Sequence, residues 1–457
     1  MSKTWRDYVV PALEVVRSMG FDPKDTEFKE VSQTELNRLS GLMLPWSPPH
    51  WTRGRESLRA SGEWKVRGSR ALEIVWDMGD RAVAYISSAQ GQATATLTVP
   101  HVYGHSHVFK HNIHQASREG DLWSFFASGA ERMREYEVLY GPEEVEKWID
   151  LALALAPQVS DAPPPEPYVD EWRPKEFPTF GGSSDVMTHR ERALRRAEAQ
   201  RNALAGDGEI DVLRWIINHA PVEDWARDVL TVEREVALYW ARRNRTKYVH
   251  EGVATFVHAH ALPQMGIPPE WVVEVSKAHA GVAYPSLSNP YWFGWQIMEY
   301  LWEQEGADVL LEKVRTWTDS AMFFEMADEE VFLHFVYEAF VRTYGEQGVA
   351  ELFEDLEEEP TNLRSAFVEA LSRWLREMAS TILEAPPKVR VRVTPIALDE
   401  LLGRTLLVER PGWRSMSIAL MADEPLDATY AERVAEIFAD TTGVGVKIYA
   451  PKLDRKT

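Results

Sequence analysis

Two histidines of this chain have the residue type and the spacing that can bind a metal ion. His101 and His105 stand four residues apart in "HVYGHSHVFKHN". On a helix, residues with this spacing share one face, with Cβ atoms about 5–6 Å apart, so both rings can reach one ion. Two partly buried histidines that bond to the backbone would have the same spacing, so the pair alone does not decide between these interpretations.

A carboxylate that can complete such a site occurs in "TKYVHEGVATFVHAHA", residues 246–261. Many zinc proteases carry their third ligand as a glutamate in an "NEGxA" context on a second helix, and Glu251 occupies that position here. Gly252 lets two helices approach closely, and Ala254 keeps their contact small. His258 lies seven residues further, on about the same face, either as a fourth ligand or partner or as a hydrogen-bonded core histidine. The predicted metal ligands are therefore His101, His105 and Glu251.

The residues that could do chemistry beside this ion are less well defined. The position after the first histidine, which holds the general base of HExxH proteases, is Val102, so a carboxylate from elsewhere would have to activate water. Glu233 and Glu235 precede the second helix in sequence, and Glu235 is the predicted candidate. His279 and Tyr291 flank a loop in "KAHAGVAYPSLSNPYWFGW" and could stabilise developing negative charge. An ordinary structured loop anchored by Tyr291 is the alternative.

Composition excludes several classes of protein. The chain has 457 residues, 45% of them hydrophobic and 26% charged, which is enough to form and cover a globular core. Its net charge of -21 disfavours binding to nucleic acid and to anionic lipid surfaces. The absence of cysteine excludes disulfides and thiolate metal sites. No apolar run predicts a secretory signal or a transmembrane helix, so we expect a cytoplasmic protein.

Hydrophobic periodicity predicts an α+β protein that is mostly α-helical. Segments such as "DYVVPALEVVRSMGF" and "GPEEVEKWIDLALALA" have apolar residues at helical spacing. The runs in "ALEIVWDMGDRAVAYISS" favour strands or short mixed elements, and the alternation in "GQATATLTV" predicts a strand. A proline-rich connection covers residues 161–185 inside a main domain, residues 1–385. Residues 388–457 contain strand patterns, among them "KVRVRVTPI" and "WRSMSIALMA", and an amphipathic helix. They predict a small C-terminal α/β domain.

Several of these segments together resemble the stage V sporulation protein R (SpoVR) family. The resemblance is carried by "PHVYGHSHVFKHN", "VEDWARDVLTVEREVALYWARRNRTKYVHEGVATFVH" and "AHAGVAYPSLSNPYWFGWQIMEYLWE". "PPHWTRGRE", "DVLRWIINHAPVEDW" and "AERVAEIFADTTGVGVKIY" are similar to the family as well, so the resemblance spans nearly the whole chain. It implies a bacterial cytoplasmic protein that is linked, in spore formers, to sporulation and to formation of the spore cortex, a modified peptidoglycan layer.

The resemblance also bears on individual residues. It implies that family members usually have an apolar residue at the position of Val102. The family would then function without a glutamate there, and this protein has not lost one. Residues of the family pattern match His101, His105, Asn112 and Glu251. Family members often have Asp, Asn and Asn at three positions that are histidines here, so we do not expect a metal bond from His107, His111 or His250.

Two functions remain open from the sequence. The first is a zinc-dependent, hydrolase-like protein with a zincin-like main domain, which would act on a peptide or amide bond of a cell-wall peptide or a protein. The second is a non-catalytic assembly or regulatory protein in spore cortex formation, which the apolar Val102 favours. The sequence leaves the oligomeric state open.

Overall fold

The structure, a computed structural model, is mostly helical, as the sequence predicts. It describes residues 3–41, 72–115, 122–156, 159–161, 211–219, 222–351, 362–383, 389–395 and 416–422. The helices are α1 (Val9–Ser18), α2 (Gln33–Gly41), α3 (Gln92–His111), α4 (Leu122–Tyr140), α5 (Pro142–Leu155), α6 (Val212–His219), α7 (Asp224–Asn244), α8 (Lys247–Ala261), α9 (Val272–Val282), α10 (Pro290–Gln304), α11 (Ala307–Thr316), α12 (Asp319–Met326), α13 (Glu330–Ala350) and α14 (Leu363–Leu383). The strands are β1 (Asp25–Val31), β2 (Glu73–Asp77), β3 (Arg81–Ser87), β4 (Val389–Pro395) and β5 (Met416–Ala422).

The chain divides into two compact units, and each unit contains two separate segments of the chain. Unit 1 comprises Met1–Arg132 and Arg242–Glu384, and unit 2 comprises Met133–Ala241 and Ala385–Thr457. The three predicted metal ligands all belong to unit 1. The predicted division into domains 1–385 and 388–457 stays a prediction, and residues 162–185 of the proline-rich connection lie outside the described residues. Two of the predicted C-terminal strands are present as β4 and β5, which pair antiparallel.

Three helices of unit 1 stack at their smallest residues. A Cβ added to Gly104 of α3 would lie 2.6 Å from Cα of Ala254 on α8, and a Cβ added to Gly252 would lie 2.6 Å from the carbonyl carbon of Gly294 on α10. Real Cβ atoms do not come this close to backbone, so only glycine allows these approaches. The predicted role of Gly252 and Ala254 in a close helix contact is therefore confirmed, and α8 is clamped between α3 and α10.

A small sheet covers another side of α3. Its strand order is β1–β3–β2, with β1 parallel and β2 antiparallel to β3. The β2–β3 turn contains Gly79 at φ 87°, a left-handed conformation that glycine adopts without strain. The strands predicted in "ALEIVWDMGDRAVAYISS" are thus confirmed, and the sheet packs against α3 with Glu73 as the first residue of β2.

The strand predicted for "GQATATLTV" is wrong, because these residues form the N-terminal half of α3. The alternation suggested one buried face, but Ala93, Ala95, Thr96 and Thr98 are all buried. The threonine hydroxyls donate to the carbonyl oxygens four residues earlier, at 2.8 Å from Thr96 to Gln92 and 3.1 Å from Thr98 to Thr94. A helix that is buried all round has no amphipathic pattern, which removed the usual helical signature.

The N-terminus of α8 is fixed by a buried carboxylate. Asp319, at the start of α12, accepts hydrogen bonds from the backbone N–H groups of Tyr248 and Val249, both at 3.0 Å. Acidic groups are favourable at helix N-termini, where N–H groups lack helical partners. Within the described ranges, no helix combines the length and the apolar character needed to cross a membrane.

Candidate metal centre

Four side chains from three elements converge at one point of unit 1. Nε2 of His101 lies 3.6 Å from Oε1 of Glu73 and 3.7 Å from Oε2 of Glu251, and Nε2 of His105 lies 3.5 Å from that same Oε2. Ligand atoms of Glu73, His101 and His105 all lie within 4.8 Å of one another, so this group could hold a metal ion. The elements involved are α3 for the histidines, α8 for Glu251 and β2 for Glu73.

The far ring nitrogens of both central histidines contact further histidines. Nδ1 of His101 lies 3.1 Å from Nδ1 of His258, and Nδ1 of His105 lies 3.3 Å from Nδ1 of His250. The series of contacts that starts at His101 continues from Nε2 of His258 to Nδ1 of His279, which are 2.8 Å apart. Metal-binding histidines in proteins are usually held in this way through their other nitrogen, which fixes ring orientation and tautomer.

Glu251 interacts with Tyr291 and has an oxygen without a hydrogen-bond partner. The hydroxyl of Tyr291 donates a hydrogen bond to the Glu251 carboxylate, and the Tyr291 ring stacks on His101 with centroids 5.9 Å apart at 15°. Oε2 of Glu251, the oxygen that faces both histidines, is buried without a hydrogen-bond partner. A buried carboxylate oxygen without a partner is costly, and a cation at this point would satisfy it.

Burial sets the protonation of the cluster. It raises the pKa of Glu73 to about 7, and burial together with the Glu73 charge raises the pKa of Glu251 to about 8. Burial lowers the pKa of His105 to about 4 and holds the pKa values of His101 and His258 well below the usual range. The site therefore favours neutral rings, which can bind a metal, and carboxyl groups whose charge needs a nearby cation.

Glu73, His101 and Glu251 of this cluster line a cleft with a volume of about 550 Å³. The wall opposite α3 is the segment from the end of α9 to the start of α10. Asn289 orders that segment by donating to the carbonyl oxygens of Val282 and Tyr284 at 2.9 and 2.8 Å and by capping α10. The cleft is lined by Leu72, Glu73, Leu97, Thr98, His101, Lys247, Glu251, His258, Gly281, Val282, Tyr284, Ser288, Asn289, Pro290 and Tyr291.

Other residues singled out in the sequence are placed differently. Glu235 belongs to unit 2, where its carboxylate pairs with Arg234 at 3.1 Å, and it does not line the cleft. Asn112 ends α3 and donates to the carbonyl oxygens of Val314 and Trp317 at 2.7 and 2.8 Å, so it anchors the helix. The ring of His279 extends the hydrogen-bonded chain rather than facing the carboxylates.

Glu73 was missed by the sequence analysis. It precedes His101 on a strand, and no spacing relates a strand residue to a helix residue across an intervening turn. The only available sign was a carboxylate at the start of an apolar strand, "EIVWD". Tertiary packing of β2 on α3 brings it to the histidines, and sequence periodicity does not report that packing.

The fold and the site define a mostly helical α+β protein with a candidate His/Glu metal centre beneath a cleft. The family "SpoVR like protein" matches residues 4–359, and the chain belongs to that family. It is 24% identical to "Uncharacterized protein YcgB" of Escherichia coli (strain K12) over 281 residues, which are 58% of this chain and 55% of that protein. The match thus covers about half of the relative's length. No solved structure matches the chain.

Proposed function

We propose that this SpoVR-family protein is a zinc-dependent hydrolase that cleaves a peptide or amide bond. As in zincins, two helices, here α3 and α8, would supply the zinc ligands. The observation that supports it is the convergence of two imidazole Nε2 atoms on the unpartnered Glu251 Oε2 at the floor of a cleft. Two histidines and a glutamate are a ligand set of catalytic zinc sites, which keep one position open for water. Bound zinc would lower the pKa of that water to about 7.

The ligand roles follow from how each side chain is held. The Glu251 carboxyl is hydrogen-bonded with Tyr291, and its Oε2 lies at nearly equal distances from the two histidines, 3.7 Å from His101 and 3.5 Å from His105. We therefore assign His101, His105 and Glu251 as ligands. When Nε2 of a neutral histidine binds an ion, its Nδ1 carries the proton. In this proposal Nδ1 of His101 would donate a hydrogen bond to His258, and Nδ1 of His105 would donate one to His250.

In this proposal Glu73 acts as the general base, because Val102 occupies the position at which HExxH proteases have their glutamate. It lines the cleft beside His101, and its pKa of about 7 suits proton transfer near neutral pH. In the proposed reaction a water oxygen adds to the carbonyl carbon while Glu73 accepts the water proton. The C–N bond then breaks, and the same proton goes to the leaving amine. The candidate base Glu235 is not needed in this scheme.

The substrate class and the setting come from the family. Membership in the SpoVR-like family supports, through the family's name, a link to sporulation. We propose that this role is cytoplasmic and that the substrate is a peptide of the spore cortex peptidoglycan or its precursors. This part of the proposal is an analogy at the level of the family, and the residues of the cleft carry the chemical part.

A second function is favoured by one specific observation. Val102 is fully buried in the core, so the helix position that carries the base in HExxH proteases has only a packing role here. In this alternative the protein is a non-catalytic assembly or regulatory component of spore cortex formation, and the ion is structural.

Metal content decides whether the first proposal survives. Protein purified without a polyhistidine tag is analysed by elemental mass spectrometry beside His105→Ala and Glu251→Ala. We expect about one zinc per chain in the parent and a loss in both variants, with circular dichroism showing that they fold. Bound iron in place of zinc would support the metal centre and contradict only the choice of zinc, since two histidines and a carboxylate bind either ion. No metal after zinc is supplied would refute the metal centre.

A further inference from the structure

Among the described residues that line the cleft, Lys247 is the one lysine, and no arginine is present. Its side chain is exposed at the first position of α8, and it forms no ion pair within the part of the chain that the structure describes. Its charge nevertheless lowers the pKa of Glu251, so the ammonium group lies near enough to influence the site. An unpaired lysine beside a cleft is available to a ligand.

The charges of the occupied cleft favour an acidic ligand. A divalent ion with Glu73 and Glu251 has no net charge, and the histidines around it stay neutral. Lys247 then leaves one positive charge at the edge of the cleft. The whole chain carries -21, so an acidic substrate is repelled elsewhere and needs a local cation to bind.

The backbone helices offer no competing anion site at this end of the cleft. The first N–H groups of α8 already donate to Asp319, and the N–H of Tyr291 on α10 donates to Asn289. An anionic group that enters the cleft therefore has the Lys247 ammonium as its partner. The side chain can follow such a group because it is long, exposed and flexible.

The spacing of Lys247 and Glu251 limits how far that anionic group can lie from the reacting bond. They are four residues apart on one face of α8, so their Cβ atoms are about 6 Å apart. A substrate carboxylate bound by Lys247 therefore stays within reach of a side chain that begins one helical turn from the ligand Glu251. A bond close to that carboxylate can then reach the ion.

We propose that Lys247 selects substrates that carry a free carboxylate next to the bond to be cleaved, so that the cleft acts on the carboxyl end of a peptide. This inference rests on the proposed hydrolase function. It narrows the substrate class to short or terminal peptide segments, because an internal peptide bond has no such carboxylate unless an acidic side chain supplies it.

The test compares acids with their amides on three forms of the full-length chain. A pool of N-acetylated tripeptides with free carboxyl ends and the same pool with amidated ends are offered to the zinc-loaded parent, Lys247→Gln and Lys277→Gln. Lys277 is an exposed lysine of α9 that does not line the cleft, so it is the matched control. Zinc content is measured for each, since loss of the Lys247 charge also acts on Glu251.

Binding by calorimetry and cleavage by mass spectrometry are both recorded. We expect the parent and Lys277→Gln to bind the acids about fivefold more tightly than the amides. In Lys247→Gln that preference should be lost through a raised KM, with little change in kcat. Equal binding of acids and amides by the parent, or an unchanged preference in Lys247→Gln, would overturn the inference.

The two proposals fail in different ways. Cleavage of both pools at equal rates by zinc-loaded protein refutes carboxylate selection and leaves the hydrolase intact. A Lys247-dependent preference for acids in a chain that cleaves neither pool supports the anion site and refutes hydrolysis of these peptides.

Discussion

At the scale of single residues, the two carboxylates of the cluster differ in what holds them, and this difference separates binding from chemistry. Both line the cleft, but Glu251 lies within helix α8 and is hydrogen-bonded with Tyr291, whereas Glu73 is the first residue of an edge strand. A ligand must be positioned before the ion arrives, while a proton acceptor must meet both water and substrate.

Exchange of each carboxylate for its amide should therefore have different effects. Glu251→Gln removes a charged ligand, so we expect zinc affinity to fall by at least about tenfold. Glu73→Gln should keep about one zinc per chain and lose at least about a hundredfold in kcat, because it cannot accept the water proton. Metal titration and peptide turnover measure the two effects. Loss of zinc in Glu73→Gln with full occupancy in Glu251→Gln would reverse the assignment.

Metal affinity should increase with pH. The pKa values of about 7 for Glu73 and about 8 for Glu251 mean that both hold protons near pH 6 and have lost them near pH 9. An ion competes with these protons, so affinity rises over this interval and binding releases protons. The histidines, whose pKa values are lowered, are already neutral there. Calorimetry in buffers of different ionisation enthalpy counts the protons.

For the metal-free chain the sign is opposite. A carboxyl whose pKa is raised by folding stabilises the fold below its unfolded pKa, and that contribution disappears as pH rises through the folded value. The melting temperature of chelated protein should thus fall more between about pH 6 and 9 than that of the zinc form, because buried Asp319, with its pKa raised to about 7, lowers the stability of both forms. A metal-free protein that becomes more stable over this interval would contradict the burial of the two carboxyls.

At the scale of elements, the site depends on how closely three helices approach. The contact of Gly252 with Gly294 holds α8 against α10, and Gly104 seats α3 against Ala254. The distances between Glu251 and the histidines are set by these contacts, since the side chains are on facing helices. The geometry of the cluster is therefore a property of helix packing.

Substitution of Gly252 by alanine should disturb both stability and metal binding. Its Cβ would meet the backbone of Gly294 at 2.6 Å, so the helices must separate. Overpacking of this kind costs about 1–3 kcal/mol, or roughly 5 °C in melting temperature. Gly281→Ala is the control, because its Cβ meets no heavy atom within 4 Å and alanine favours the helix. Equal melting temperatures and zinc affinities for both variants would exclude this account.

The elements also show where sequence reasoning works. The pairing of His101 with His105 could be predicted because spacing along one helix is a local property. The close contact at Gly252 could be predicted because small residues permit it. The helix at "GQATATLTV" could not, because burial on every side removes the amphipathic pattern. Glu73 could not either, since its position depends on the packing of a strand on a distant helix.

At the scale of the whole molecule, the proposed ion would join two helices, α3 and α8, beside strand β2, and the chain brings these three elements together from far apart. Sequence proximity pointed to Glu235, just before α8, but compact unit 2 contains that residue and the cleft is in unit 1. Glu235 and α8 thus belong to different units although they are close in sequence, whereas β2, α3 and α8 meet within unit 1. The division was not visible in composition, because both units contain segments from two parts of the chain.

Zinc should accordingly stabilise one unit selectively. When the free zinc concentration is about a hundred times the Kd, binding stabilises the closed state by about 2.7 kcal/mol relative to any opened state that releases the ion. Hydrogen exchange of α3 and α8 should slow when zinc is added to chelated protein, because opening either helix separates the ligands. Exchange of α5, in unit 2, should not change and serves as the internal control. His105→Ala should abolish the difference. Equal slowing in α5, or slowing that persists in His105→Ala, would place the ion elsewhere.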